Sequence, residues 1–352
     1  MRDRKEAPVA SVIIPHYCGK EILLRCLHSL YADDSISIEV ILVDNASTDD
    51  SVRAAVEAFP QIKVLRSKKN MGYAGGCNLG MQAAGAAYLV LLNNDAIVSP
   101  GALAKLLRVA QANPEIAAIQ PKIKSISKEN YFDYAGAAGG FIDIFGFPFA
   151  RGRIFFTMEE DLGQYDTAGE IFWASGTCTL LRGSAVGRVG YLDESFFAHM
   201  EEIDLNWRMH LAGYRVWYAP EAVVLHNAGT TLRPETPRKI FLNHRNSLVM
   251  MLKNYSLLTL VWVFPIRLAF EIIAIFYVLL KGDFPQAKAI LKGCFAAFAA
   301  LPSSLKMRRA VQKIRLLTDA QIMGRMFKRS VVFQYFLRNR KTFEKLKIER
   351  QG

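Results

Sequence analysis

Four short apolar runs, each closed by a polar cluster and followed by a helical stretch, constrain this chain more than any other feature. Val9-Ala-Ser-Val-Ile-Ile14, Glu39-Val-Ile-Leu-Val43, Ile62-Lys-Val-Leu65 and Tyr88-Leu-Val-Leu-Leu92 are near-continuous and rich in β-branched residues. Such runs suit strands buried on both faces of a parallel sheet. Helices are predicted over Lys20–Tyr31, Asp50–Ala58, Gly75–Ala86 and Pro100–Ala112, the last entered through Ser99 as N-cap with Pro100 at the first helical position. The alternation predicts an α/β fold of doubly wound type, in which ligands bind beyond the carboxyl ends of the strands. Those ends read Pro15-His-Tyr17, Asp44-Asn-Ala-Ser-Thr-Asp49, Lys68 to Gly76 and Asn93-Asn-Asp95. Four polar exits in register point to a site.

Residues 122–172 are rich in glycine and aromatics and are expected to form either a loop-rich insert or a small β-ribbon packed through its rings. Strand character returns over Trp173–Leu181, a helix is predicted over Glu201–Ala212 with Gly213 as its stop, and a strand follows over Tyr214–Ala219.

Each candidate motif carries a chemical reading beside a structural one. Asp44-Asn-Ala-Ser-Thr-Asp49 can bind a nucleobase or ribose, or form an ordinary strand–helix turn. Asn70-Met-Gly-Tyr-Ala-Gly-Gly-Cys-Asn78 lets backbone approach a ligand phosphate at a helix N-terminus, or lets Gly75 and Gly76 pack closely. It is neither a dinucleotide fingerprint nor a Walker A loop. Asp95, beside two amides, suits a hard divalent cation that also ligates a diphosphate, with a further ligand from elsewhere. His226, ending the apolar run from Val223, can supply it, although a lone histidine is more often structural. In Glu201-Glu-Ile-Asp204, Glu201 and Asp204 share a helix face and Glu202 points roughly 100° away. Glu202 is read as a general base in a partly apolar cleft. Asp204 is read as part of a solvated first turn, paired i,i+4 with Arg208.

In order along the chain, Ser-Val-Ile-Ile-Pro, Asp-Asn-Ala-Ser-Thr-Asp, Asn-Met-Gly-Tyr-Ala-Gly-Gly-Cys-Asn, Leu-Leu-Asn-Asn-Asp, Ala-Ser-Gly-Thr, Leu-Asp-Glu-Ser-Phe-Phe and Glu-Glu-Ile-Asp-Leu-Asn-Trp-Arg resemble the inverting family 2 nucleotide-sugar glycosyltransferases of GT-A fold. The closest resemblance is to the rhamnosyltransferase-like branch that builds bacterial surface polysaccharides. It implies a doubly wound, Rossmann-like mixed sheet in a domain of residues 1–250, its donor half about 1–120 and its acceptor half about 121–250. It also implies that Pro15, Tyr17, Asp44 and Asn45 line a nucleoside pocket and that Gly72, Gly75 and Asn78 belong to a donor loop, with Asn94 on the donor side. By the same resemblance Asp95 is the last acid of a metal-binding DxD holding Mg²⁺ or Mn²⁺, and His226 is a late metal ligand. Glu202 is then the base, with Trp173, Glu201 and Asp204 on the acceptor side. The expected reaction moves rhamnose or a similar sugar from a nucleoside-diphosphate sugar to a lipid-linked saccharide acceptor. Three positions depart from the pattern: Asn93 replaces the first acid of DxD, Glu202 stands where an Asp is usual, and Cys18 stands where an Asn is common. The alternative is a non-catalytic sugar-nucleotide-binding scaffold. A sugar nucleotidylyltransferase is disfavoured, because Pro15-His-Tyr-Cys-Gly-Lys20 does not match that family's Gly-rich basic first loop.

Residues 251–352 are read as a basic, apolar helical region. Residues 233–352 hold 23 Lys/Arg against 6 Asp/Glu, a net +17, whereas residues 1–232 are net −5. The basic residues interleave with apolar runs such as Leu257–Phe264 and Leu268–Leu280, which suit an anionic membrane surface and not nucleic acid. Arg267 and Glu271 within Leu257–Leu280 would share a polar stripe, which favours a helix lying in the interface over one crossing it. A helical homodimer interface is the competing reading. Met1–Ala7 is charged and the first apolar run is too short for a secretory signal. The five cysteines show no metal spacing. The expected place is the cytoplasmic face of the cell membrane, as a peripheral or monotopic protein.

Overall fold

The computed structural model describes residues 7–226 and 236–347. Its first half alternates as the apolar runs require: β1 Ala10–His16, α1 Lys20–Tyr31, β2 Ile38–Asp44, α2 Ser51–Ala58, β3 Lys63–Arg66, α3 Gly72–Ala83, β4 Tyr88–Leu92, β5 Ala96–Val98, α4 Ala102–Ala112 and β6 Ile116–Ser125. A ribbon follows, β7 Gly140–Ile142, β8 Pro148–Ala150, β9 Arg153–Ile154 and β10 Thr157–Met158, then β11 Gly169–Ile171, β12 Cys178–Arg182, α5 Gly183–Val189, α6 Glu201–Leu211 and β13 Arg215–His226. The remainder is helical: α7 Pro237–Asn254, α8 Leu257–Leu280, α9 Phe284–Ala299, α10 Leu301–Lys313, α11 Asp319–Gly324 and α12 Val331–Phe336.

The main sheet runs β11-β13-β6-β12-β4-β1-β2-β3, with β5 paired to β13. β4, β1, β2 and β3 are parallel, and β12 enters antiparallel between β4 and β6, so the sheet is mixed. Val12, Ile13 and Ile14 of β1 are fully buried, each contributing about 1.5–3 kcal/mol of transfer free energy. Register fixes what lies beyond the strand ends. His16 pairs with Asp44 across β1 and β2, and His226 pairs with Ala96 across β13 and β5, which sets it beside Asp95.

Several local expectations are corrected. Helix α4 begins at Ala102 with left-handed Gly101 as its cap, not at Pro100 behind Ser99, because β5 carries the chain onward and Asp33 accepts the Gly101 N–H at 2.6 Å. Helix α3 starts three residues earlier than predicted, at Gly72, whose N–H is taken by Asn70 Oδ1 at 2.9 Å. Trp173–Thr177 is not strand, and β12 starts at Cys178. The two short runs at 214–219 and 223–226 form one strand, β13, interrupted by an irregularity between Ala219 and Val223 where Pro220 cannot donate to the ladder.

Of the two readings of residues 122–172, the ribbon is what forms: β10-β9-β8-β7 is a second antiparallel sheet. Phe149 meets Phe327 edge-on, at 5.8 Å between ring centroids. Phe141 lies 4.9 Å from Phe343, so these rings anchor the C-terminal segment. A boundary at residue 250 falls inside α7, whose Asn246, Lys253 and Asn254 are buried in bonds to the α/β part.

Helix α8 turns its charged stripe inward. Arg267 and Glu271 are 2 % exposed and pair with each other at 2.5 Å, and Glu271 also meets His244 of α7. The outward face carries Leu258, Val261, Ile273, Phe276 and Leu280, all exposed. The shared stripe of Arg267 and Glu271 forms, but its charges are satisfied by protein, and what faces outward is apolar. This helix is long and apolar enough to cross a membrane. Along its inner side, however, Thr259, Val263, Arg267 and Glu271 are buried, and Phe270 packs on Phe145 and Phe147.

Candidate active site

The strand exits converge on a buried acid–imidazole–acid row. His226 Nε2 lies 3.0 Å from Asp95 Oδ1, and its Nδ1 lies 2.8 Å from Asp133 Oδ1. Asn93 Nδ2 approaches the same Nε2 at 3.3 Å. Burial by itself lowers the imidazole pKa, but the bonds to Asp133 and Asp95 outweigh it and raise the group to about 9. A cation held by Asp95 and His226 Nε2 would take the place of the proton that these bonds favour. The row's carboxylate oxygen suits Mg²⁺ or Mn²⁺, its imidazole nitrogen is a softer donor that suits the transition-metal ion better than Mg²⁺, and Asp133 orients the ring as a second carboxylate does behind a metal-bound histidine. Among the described residues no three His, Cys, Asp or Glu side chains make a metal cage by themselves. Asn227, Ala228 and Gly229, which follow His226 in its motif, lie outside the described residues.

Asn94 points the other way. Its amide donates to His16 Nδ1 at 2.8 Å, His16 Nε2 meets Ser51 Oγ at 2.7 Å, and Ser51 donates to Asp49 at 2.5 Å. Burial lowers the His16 pKa to about 4, against the pull of Asp49 and Asp44, so this ring is neutral and passes one hydrogen bond on to the next. At the rim, Tyr17 is exposed. Asp44 accepts the Ser47 N–H at 2.8 Å, with Arg66 at 3.9 Å.

The second acidic group sits on a strained turn. Phe197, His199 and Met200 take φ of 63°, 70° and 74° immediately before Glu201, left-handed conformations that cost non-glycine residues about 1–3 kcal/mol each. Asn246 offsets this by donating to the carbonyls of Phe196, Ala198 and His199 at 3.0, 3.0 and 2.8 Å. The N-terminus of α3 holds the other side, where Tyr73 N–H reaches Phe197 O at 2.7 Å. Gly72 is required here: its φ is +72°, and a Cβ would fall 2.3 Å from that same carbonyl. Gly72→Ala is expected to pull the turn out of place and depress turnover well beyond its effect on nucleotide binding, measured as kcat against Kd.

Beyond that turn, Oε2 of both Glu201 and Glu202 is buried without a hydrogen-bond partner. Burial raises the Glu202 pKa to about 7. Burial and the Glu202 charge beside it push Glu201 upward as well, so the pair favours holding a proton, and Glu202 titrates near neutrality. Residues 174–177 tie this pair to the metal-type row. Asn206 bridges the Glu202 carbonyl, at 2.6 Å, to Ala174 N–H. Tyr73 hydroxyl donates to Gly176 O at 2.6 Å, and Thr177 O accepts the Asn93 N–H at 2.9 Å. Glu202 shares this frame with Asp95 and His226 without a hydrogen bond to either.

Five of the residues expected at the site have other employment. Asp204 is fully buried, bonded to Arg208 at 3.0 Å, Lys253 at 3.0 Å and Asn254 at 2.8 Å. The pairing with Arg208 forms, but the turn is not solvated and no face is left for an acceptor. Trp173 is buried beneath Gly140, its Nε1–H donating to Phe141 O at 2.8 Å. Asn78 exchanges hydrogen bonds with the Leu192 backbone at 2.9 and 3.0 Å, so it joins two elements. Gly72 and Gly75 are likewise turned to protein, Gly75 against Met71. Pro15 and Asn45 meet at Gly76, where a Cβ would lie 3.0 Å from Pro15 Cβ and 2.8 Å from Asn45 Nδ2. Asn45 keeps Oδ1 buried and without a partner. Asp133 and Asn246 were not singled out from the sequence, since nothing in Tyr-Phe-Asp133-Tyr or His-Arg-Asn246-Ser forms a motif, and Tyr73 entered only as a member of the Asn70–Asn78 run.

Comparison with known proteins bears on this arrangement. The family model described as glycosyl transferase family 2 matches residues 11–190. The N-acetylglucosaminyl-diphospho-decaprenol L-rhamnosyltransferase of Mycobacterium tuberculosis is 28% identical over 263 residues, covering 70% of this chain and 85% of that protein. The pre-mycofactocin glycosyltransferase of the same organism is 29% identical over 241 residues, covering 66% of this chain and 45% of that protein. Among solved structures, GalNAc-T7 with UDP, GalNAc and Mn²⁺ aligns with a TM-score of 0.55 at 16% identity, over 70% of this chain and 48% of that one. A mannosyltransferase from Pyrobaculum calidifontis with GDP-Man and Mn²⁺ aligns with a TM-score of 0.50 at 17% identity, over 87% of this chain and 86% of that one. These two likenesses are of fold, and the fold is GT-A.

Proposed function

The chain belongs to glycosyl transferase family 2, and from that premise we propose that it moves rhamnose or a similar sugar from a nucleoside-diphosphate sugar to a hydroxyl of a lipid-linked saccharide, inverting the anomeric centre. The observation that carries this reading is the pairing of Asp95 with His226 at the strand exits, in one frame with a carboxyl group that titrates near neutrality.

Asp95 and His226 would hold a divalent cation, and that ion, when bound, offsets the charge of the donor diphosphate. The remaining work falls to the chain's own groups. Tyr17, Asp44 and Asn45 face the nucleoside, and the His16–Ser51–Asp49 relay keeps Asn94 aimed from beneath. Glu202 takes the proton of the acceptor hydroxyl at its unpartnered Oε2. The acceptor oxygen forms its bond to the anomeric carbon as the bond from that carbon to the diphosphate breaks, and the leaving oxygen keeps the electron pair. One displacement of this kind inverts the centre. Burial and the Glu202 charge push Glu201 towards its protonated form, which leaves Glu202 the better base of the pair.

The lipid-linked acceptor is supported by the acceptor in the mycobacterial relative's name and by the apolar outer face of α8. Because α8 is packed along its inner side on α7 and the ribbon rings, we place it flat in the cytoplasmic interface, where its bare face meets acyl chains.

The test is a thermal-shift screen of nucleotide sugars with and without Mn²⁺ or Mg²⁺, followed by transfer assays with the donor that binds. Asp95→Ala is expected to abolish the metal-dependent part of both signals. Unchanged metal stimulation in that variant would remove Asp95 from the role.

A further inference from the structure

Resting on the reading just given, we propose that a basic cleft between α7 and α9 seats the diphosphate of the acceptor's lipid carrier. The cleft, about 310 Å³ in volume, is lined by Arg238 and Phe241 of α7 and by Lys288 and Lys292 of α9, with Pro237 and Pro285 at its ends. Lys288 and Lys292 stand one turn apart on the same face. Among the described residues, no carboxylate pairs with any of the three cations. Three such charges around one hollow repel one another and favour an anion carrying more than a single charge.

Two further features decide which anion. Phe284, Leu291 and Phe295 on α9 are exposed beside the cleft, and the apolar face of α8 lies on the helix next to it. A free diphosphate has no use for such a shelf, whereas a prenyl chain does. The cleft also connects to the chemistry: the Arg238 guanidinium lies 4.7 Å above the Phe197 ring, and Phe197 opens the left-handed turn that presents Glu202. A carrier with its diphosphate in this cleft lays its isoprenoid tail along α8 and α9 and leaves its saccharide at the base. Gly293 keeps the two walls at a fixed separation, since a Cβ there would lie 3.0 Å from Phe241 O.

The experiment uses the full chain in detergent, in EDTA to silence the donor diphosphate site, with farnesyl diphosphate as probe and isothermal titration as readout. Saturable binding is expected, with the doubly substituted Lys288→Glu/Lys292→Glu chain weaker by about tenfold or more. A charge-matched pair on α10, Lys306→Glu/Lys313→Glu, is expected to stay within about twofold. Equal loss in both pairs would reduce the effect to general surface charge and overturn the site, as would no loss in the first pair. Farnesol or inorganic pyrophosphate binding as tightly as farnesyl diphosphate would also overturn it, because tail or anion alone would then suffice. Nucleotide-sugar binding in the same preparation with Mn²⁺ separates the two readings. Donor binding without prenyl-diphosphate binding overturns the cleft alone, and prenyl-diphosphate binding without binding of any donor overturns the glycosyltransferase reading.

Discussion

Glu202→Gln is expected to lower sugar transfer by about three orders of magnitude while leaving donor affinity within a small factor, because a general base contributes about 10²–10⁴-fold and touches the donor little. The amide keeps the shape of the side chain and loses the lone acidic oxygen that is buried without a partner. The pH profile carries the same information. A base works only when deprotonated, and burial raises this one to about 7, so kcat should climb as pH rises through neutrality and level off above it. Glu201→Gln provides the contrast. Burial and the neighbouring Glu202 charge push Glu201 towards its protonated form, so an amide there resembles that form and should retain most activity. Equal losses in the two variants would leave no basis for assigning the base to Glu202.

Lys253→Met is expected to cost about 3–5 kcal/mol of stability, the range for removing one partner from a buried ion pair. Lys253 Nζ lies 2.6 Å from Asp193 and 3.0 Å from Asp204, and the lysine is fully buried. Its removal leaves two carboxylates facing each other with Arg208 bonded to only one of them. The loss should be read in denaturant unfolding and should depend on pH. Burial raises the Asp204 pKa, but Lys253 and Arg208 outweigh it and hold the group below its ordinary value. The stabilisation is thus present above about pH 4, the unfolded value, and disappears as pH falls through the lower folded one. The gap between wild type and variant should accordingly narrow in acid. A gap below about 1 kcal/mol at neutral pH would mean that water reaches this network.

The donor half was legible because strand and helix periods differ so sharply there. The β1, β2 and β4 runs were placed within a residue or two, and the polar exits followed from them. Asp95 and His226 could be suggested as partners from residue type and resemblance, but their meeting depends on the antiparallel β5–β13 register, a long-range pairing that no local pattern encodes. The same distance hid Asp133 and Asn246, which act from the ribbon connection and from α7. Asn78 and Asp204 show a related limit of local pattern: a buried polar group must find partners, and theirs, Leu192, Lys253 and Asn254, lie far along the chain. The glycines of α3 carry a packing role the motif did not show, because closeness to backbone serves Phe197 as readily as a phosphate. Composition showed that α8 was apolar, but only its packing on α7 revealed that Arg267 and Glu271 face inward.

Everything rests on a shared chamber for the Asp95–His226 pair and Glu202, and Mn²⁺ anomalous diffraction from crystals grown with the bound nucleotide sugar examines it. We expect a manganese peak between the Asp95 carboxylate and His226 Nε2, with the anomeric carbon on the open side facing Glu202 and room for one hydroxyl between them. A manganese peak elsewhere, or a sugar walled off from Glu202 by protein, would contradict it.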